Sequence, residues 1–149
     1  LTSLRIINDS SYFDQSASFM DVSIGKYLKS SLTESNKQQI LDNIILELET
    51  NRYYTNNLAS LSELAKKTGA SPHHVSQVIN EKLSKNFFEL LAWYRIEEAK
   101  KIISDDNKAR LTVEEISEMV GYNSKTSFNN AFKRLTGNTP SEFRKSINS

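Results

Sequence analysis

The chain has no cysteine, which removes disulfide scaffolds, thiolate zinc sites, iron–sulfur clusters and cysteine nucleophiles in one step. Glycine is scarce as well. Gly25, Gly69, Gly121 and Gly137 stand too far apart to form a G-x-x-x-x-G-K phosphate loop or a G-x-G-x-x-G turn, which argues against nucleotide-driven catalysis. No apolar run approaches the roughly 20 residues that a bilayer-spanning helix needs. The stretch from Ile44 to Leu48 is broken by Glu47 and followed at once by Glu49. The only histidines, His73 and His74, are adjacent and so point about 100° apart on a helix, a poor start for a metal site. G-x-S-x-G and H-E-x-x-H are missing too, so we expect no catalytic residue, no metal, no cofactor and no enzyme. The sequence begins with Leu1 and lacks the basic-then-apolar layout of a signal peptide, and we read it as a piece of a longer protein.

What is present is a chain of 149 residues, 38% hydrophobic and 25% charged, enough for one compact domain or two small subdomains. The net charge of +1 hides an uneven distribution. Residues 1–60 hold five basic against seven acidic side chains, whereas residues 121–149 hold Lys125, Lys133, Arg134, Arg144 and Lys145 against Glu142 alone. A second basic cluster, Lys66, Lys67, Lys82 and Lys85 against Glu81, lies between residues 64 and 86. Two basic patches on a near-neutral chain suit a polyanion touched at two places.

Residues 1–34 are rich in Ser, Asp and Asn, carry Tyr12, Phe13 and Phe19 without any period, and read as a linker or the remnant of an upstream domain. Beyond them the pattern is helical. Ser35 with Gln38, Ser60 with Glu63, Thr112 with Glu115 and Thr139 with Glu142 have the spacing of capping boxes, each marking a helix start. Pro72 and Pro140 suit the first turn of a helix, and Gly69, Gly121 and Gly137 suit left-handed closures. Apolar residues recur at three and four, never at two, so the expected class is all-α, with helices over residues 36–51, 61–68, 72–83, 86–104, 113–120, 124–136 and 140–147. The turns after Gly69 and Gly121 are tight enough for two helix-turn-helix units, one within residues 35–85 behind an N-terminal helix and one within 105–149. The two units align at an offset of 52 residues that becomes 53 after the turn, a degenerate duplication.

In each unit the helix after the turn has an apolar and a polar side. His73, Ser76, Gln77 and Asn80 share one face opposite Val75, Val78 and Ile79, and Lys125, Thr126, Asn129, Asn130 and Lys133 share one opposite Phe128, Ala131 and Phe132. Amides pair with adenine N6 and N7, lysine reaches guanine O6 and N7, and hydroxyls meet base edges or phosphates. The linking helix over residues 86–104 would be on the order of 28 Å long, against about 34 Å for one turn of B-DNA. A helix of that length could set two reading helices into successive major grooves. Arg95, on that helix, has two readings, a phosphate contact or a salt bridge with a neighbouring acid.

Leu61-Ser-Glu-Leu-Ala-Lys-Lys-Thr-Gly69, Ser71-Pro-His-His-Val-Ser-Gln-Val-Ile79, Tyr94-Arg-Ile-Glu-Glu-Ala99 and the long run from Gly121 to Arg144 resemble the DNA-binding region of the AraC/XylS transcription regulators over residues 58–145. The resemblance implies the output domain of a bacterial regulator, two helix-turn-helix subdomains joined by a long helix. It makes His73, Ser76, Gln77 and Asn80 one set of base readers, Lys125, Thr126, Asn129 and Asn130 the other, and Lys85, Lys133 and Arg134 contacts to the DNA backbone. Double-stranded DNA is then the expected partner, with RNA polymerase and a second copy joined through the upstream region as further ones. The segment from Lys26 to Leu32 also resembles the stretch before this domain in membrane-bound or hybrid-sensor members, so the whole protein could be membrane-anchored while this stretch sits in the cytoplasm without membrane contact. One departure is Ser84, where the first unit usually has glycine. A different class of function, a helical interaction module docking a sensor or polymerase subunit, would use the same amphipathic faces.

Overall fold

A computed structural model describes residues 31–149, so the reading of residues 1–30 as a linker or remnant lies outside the described residues. Among these residues there are seven α-helices, two 3-10 turns and no strand, as the spacing of apolar residues required. They are α1 (Glu34–Glu49), α2 (Leu61–Thr68), α3 (Pro72–Leu83), α4 (Phe87–Ile103), α5 (Val113–Met119), α6 (Lys125–Thr136) and α7 (Pro140–Ile147), with 3-10 turns at Tyr53–Thr55 and Asp106–Lys108. Among the described residues no helix is long and apolar enough to cross a membrane.

Hydroxyl caps set most of the starts. Ser60, Ser71 and Ser124 each accept a hydrogen bond from the backbone N–H three residues on, satisfying one free donor of the first turn. Thr112 with Glu115 and Thr139 with Glu142 complete reciprocal capping boxes. The first start differs from the expectation. Thr33, not Ser35, caps α1, accepting from Asn36 N–H at 3.1 Å, and Gln38 donates instead to Asp42. A further box, unmarked by the serine and threonine pattern, opens α4: Asn86 accepts from Glu89 N–H at 2.9 Å and donates its own N–H to the Glu89 carboxylate at 2.8 Å. Asparagine caps as well as serine does.

The chain divides into two compact units. Among the described residues, the first comprises residues 31–52 and Ser60–Leu90; the second comprises Tyr53–Ala59 and Leu91–Ser149. In the first unit α1, α2 and α3 pack on one another pairwise, with Ile44, Leu64, Val75, Val78 and Ile79 fully buried. In the second, α5 packs on α6 and α6 on α7 around Ile96, Ala99, Ile116, Val120, Phe128 and Phe132. Phe128 stacks edge-on against Phe132, and Phe132 against Phe143, so aromatic edges meet aromatic faces through this core.

The duplication is visible in the helix pairs. α3 and α6 both have 12 residues, and the turns before them are residues 69–71 and 120–124. The second turn is longer because α5 stops one residue early, at Met119, and because one residue is inserted. Both turns use a left-handed glycine, Gly69 at φ 72° and Gly121 at φ 102°. Gly121 has a second reason to be glycine: a Cβ there would lie 2.6 Å from the Tyr54 carbonyl oxygen. Ser84 closes α3 in the same left-handed way as Gly137 closes α6, at φ 55°, with its N–H on the Asn80 carbonyl. Serine there is strained where glycine would not be. We expect Ser84→Gly to raise stability by about 1 kcal/mol, and Gly121→Ala to lower it by more than about 3 kcal/mol. Urea unfolding followed by circular dichroism checks both.

Candidate nucleic-acid interface

The second unit presents an open polar face. Lys125, Thr126, Asn130, Lys133 and Arg134 are exposed on α6 and Asn129 is half-buried, while Phe128, Ala131 and Phe132 lock the opposite side into the core. The Asn129 Oδ1 is buried without a hydrogen-bond partner. Lys125 is engaged: its Nζ lies 2.6 Å from Oε1 of Glu114 on α5. With side chains 49% and 57% exposed the pair sits in water, so it aims Lys125 more than it stabilises the fold and can be exchanged for another anion.

The first unit is different. His73 is exposed and Ser76 half-buried, but Gln77 is 1% and Asn80 5% exposed. The expectation that all four share a free face is therefore corrected at Gln77 and Asn80. A helical wheel assigns an outside to α3 alone; here α1 packs on α3 as well, and Gln77 donates to Glu81 at 3.0 Å while Glu81 pairs with Lys37 of α1 at 2.8 Å. Lys85 is enclosed as well. It is 2% exposed, with Nζ donating to the Leu83 carbonyl at 3.2 Å.

Arg95 forms no salt bridge with an acid among the described residues and is instead bonded to backbone carbonyls. Nε donates to the Tyr54 carbonyl at 2.7 Å, Nη2 donates to the Asn56 carbonyl at 2.9 Å, and the guanidinium lies 5.1 Å from the centre of the Tyr122 ring. Asn123 adds a bond to the Asn57 carbonyl at 3.2 Å, and Tyr54 stacks on Tyr94. The residue pair Tyr122–Asn123 directly follows Gly121, so these contacts fasten the turn before α6 to residues 53–59. Burial lowers the pKa of Arg95 from its ordinary value and raises that of the Tyr122 phenol. No sequence signal links positions about forty residues apart, so Arg95 could not be placed in advance.

Two glycine turns, each followed by a 12-residue helix with a polar side, define a helix-turn-helix protein in which that unit occurs twice. A family model described as "Helix-turn-helix domain" matches residues 64–146. Relatives include the raffinose operon transcriptional regulatory protein of Pediococcus pentosaceus, 44% identical over 59 residues, 40% of this chain and 20% of that protein. An uncharacterized helix-turn-helix-type transcriptional regulator of Staphylococcus aureus is 31% identical over 116 residues, 78% of this chain and 14% of that protein. The chain thus spans a fifth or less of the length of these relatives. Among solved structures it is similar to the C-terminal domain of AraT, a response regulator from Geobacillus stearothermophilus, with TM-score 0.60, 25% identity, and 78% of this chain and 88% of that one covered. An AraC-type regulator from Chromobacterium violaceum shares the fold, with TM-score 0.63, 15% identity, and coverage of 76% and 96%. The chain belongs to the helix-turn-helix domain family, and within it to the AraC type.

Two outcomes follow. Arg95→Ala should cost about 3 kcal/mol of stability, because two backbone carbonyls lose a charged donor. Arg95→Lys should restore less than half of that, since an ammonium cannot replace the guanidinium fork; thermal melts decide. The Lys125 ammonium, through its hydrogen bond, holds the Glu114 carboxyl below the usual range. The pair is thus intact above the ordinary carboxylate pKa and is lost as pH falls through the lowered one. In Lys125→Met the Glu114 titration, followed by NMR, should move back up; an unmoved titration would show that the pair is not formed in solution.

Proposed function

We propose that this chain binds double-stranded DNA sequence-specifically, as the output domain of a bacterial transcription regulator, with α3 and α6 entering successive major grooves. The observation that carries the reading is α6. Five of its polar or basic residues are exposed together behind a turn held by Gly121 and Arg95. Membership of the AraC-type family and relatives named as transcriptional regulators support it. In this reading Lys125, Thr126, Asn129 and Asn130 read base edges and Lys133 and Arg134 grip phosphates. From the first unit, His73 and Ser76 read at the front of α3. No catalysis belongs to this reading, and the site of action is the cytoplasm, where bacterial DNA lies. RNA polymerase and a second copy joined through the upstream region are further partners in the same proposal.

Selection from a randomised duplex library at moderate salt tests it. Enriched sequences should emerge, and log K should fall against log salt with a slope of several units, one for roughly each phosphate neutralised. Lys133→Ala should weaken all duplexes alike and shrink that slope by about one. Asn130→Ala should relax preference at one base pair by about 1 to 3 kcal/mol. A shallow slope with no enriched sequence would favour the protein-interaction module instead.

A further inference from the structure

In the first unit a predicted reader is held by its own fold. Gln77 is 1% exposed, and its Nε2 donates to Glu81 Oε1 at 3.0 Å. The other Glu81 oxygen lies 2.8 Å from Lys37 Nζ on α1. Lys37 also meets Glu34 at 3.1 Å, and Glu34 reaches across to Lys82 of α3 at 2.7 Å. Four side chains at the start of α1 and the end of α3 thus form one continuous chain of ion pairs, and Gln77 hangs from it by a single bond.

That bond leaves the amide half satisfied. Gln77 Oε1 is buried without a partner. Turning the amide over would set Oε1 against the Glu81 carboxylate, so the orientation is the better of the two and the orphaned oxygen is a real cost. An amide whose Nε2 has an acceptor and whose Oε1 lacks a donor is one bond short of the pattern that adenine offers, N7 accepting and N6–H donating. The stripe His73, Gln77, Glu81 rises one helical turn at a time, and His73 at its front is exposed. A rotamer change toward His73 is therefore the way out for the amide.

We propose that Glu81, set in place by Lys37 of α1, is a specificity-determining residue that withholds Gln77 from DNA, and that Gln77 reads adenine once Glu81 lets it go. This inference rests on the DNA-binding reading above. It makes α1 part of the recognition surface although α1 carries no reader, because whatever shifts Lys37 shifts the carboxylate that holds the amide.

Library selection with the whole 149-residue chain, followed by sequencing, tests it. Glu81→Ala should enrich adenine on the order of tenfold at one position where the unaltered chain shows no such preference. Adding Gln77→Ala to Glu81→Ala should erase that enrichment, which a mere loss of negative charge would not do. Lys37→Met, a second route to the same release, should produce the same adenine preference in weaker form. Identical preferences for the unaltered chain, Glu81→Ala and Lys37→Met would overturn the proposal, as would loss of an adenine preference from Gln77→Ala alone, since the hold would then be no barrier. If the unaltered chain enriches sequences but Glu81→Ala adds none, the withholding role fails and DNA binding stands. If no chain enriches any duplex, DNA binding itself fails and takes this inference with it.

Discussion

A backbone carbonyl lying where a side chain would have to begin constrains the second unit more than any other contact. The Tyr54 oxygen sits 2.6 Å from the place a Cβ of residue 121 would occupy, and the same oxygen accepts the Arg95 Nε at 2.7 Å. The turn between α5 and α6 is therefore set from three sides: by the left-handed φ that only glycine adopts freely, by the carbonyl behind it, and by the guanidinium that fixes the carbonyl. Since Phe128 and Phe132 anchor the far side of α6, the direction of its polar face is settled by packing and by this turn together. A reading helix needs that rigidity, because a base contact is lost with a displacement of a fraction of an ångström.

Electrostatics then differs between α3 and α6. On α6 the bases Lys125, Lys133 and Arg134 stand in water, and among the described residues only Lys125 has an acid in reach. An exposed pair of this kind contributes little to stability, so a phosphate or a guanine can replace Glu114 at small cost. On α3 the charges are spent inside the unit, Lys82 on Glu34 and Glu81 on Lys37. The first unit therefore has fewer available cations than its basic composition suggests, and in the DNA-binding proposal the steep part of the salt dependence falls to the second.

Much of this was legible in the sequence, and the reasons are local ones. Serine or threonine before a helix and glycine after it act over four or five residues, so α2, α3 and α7 have the boundaries that spacing gave. The start of α1 moved because Thr33 and Ser35 are both competent caps and only the surroundings choose between them. The polar face of α6 was legible because one side of that helix stays open. That of α3 was misread at Gln77 and Asn80 for the opposite reason: periodicity separates polar from apolar, but it does not say whether a third helix covers the polar side. Burial is equally invisible at Lys85, a charge that counts toward a basic patch while its ammonium donates to the Leu83 carbonyl two residues back.

Burial of a polar side chain with an orphaned oxygen, as at Gln77, is costly. An apolar residue at position 77 would pack beneath α1 without an orphaned oxygen, and a charged one would be driven out to solvent. In the withholding proposal, glutamine is the residue that can be held and can leave. Its hold depends on Glu81, the orientation of Glu81 depends on Lys37, and Lys37 stands in the first turn of α1, at the end of that helix nearest the upstream residues. The duplicated α6 has no counterpart, since the residue four after Asn130 is Arg134 rather than an acid. The two halves of a duplicated structure thus differ at the position that decides whether an amide faces its neighbour or the solvent, which makes the first unit the adjustable one and the second the fixed one.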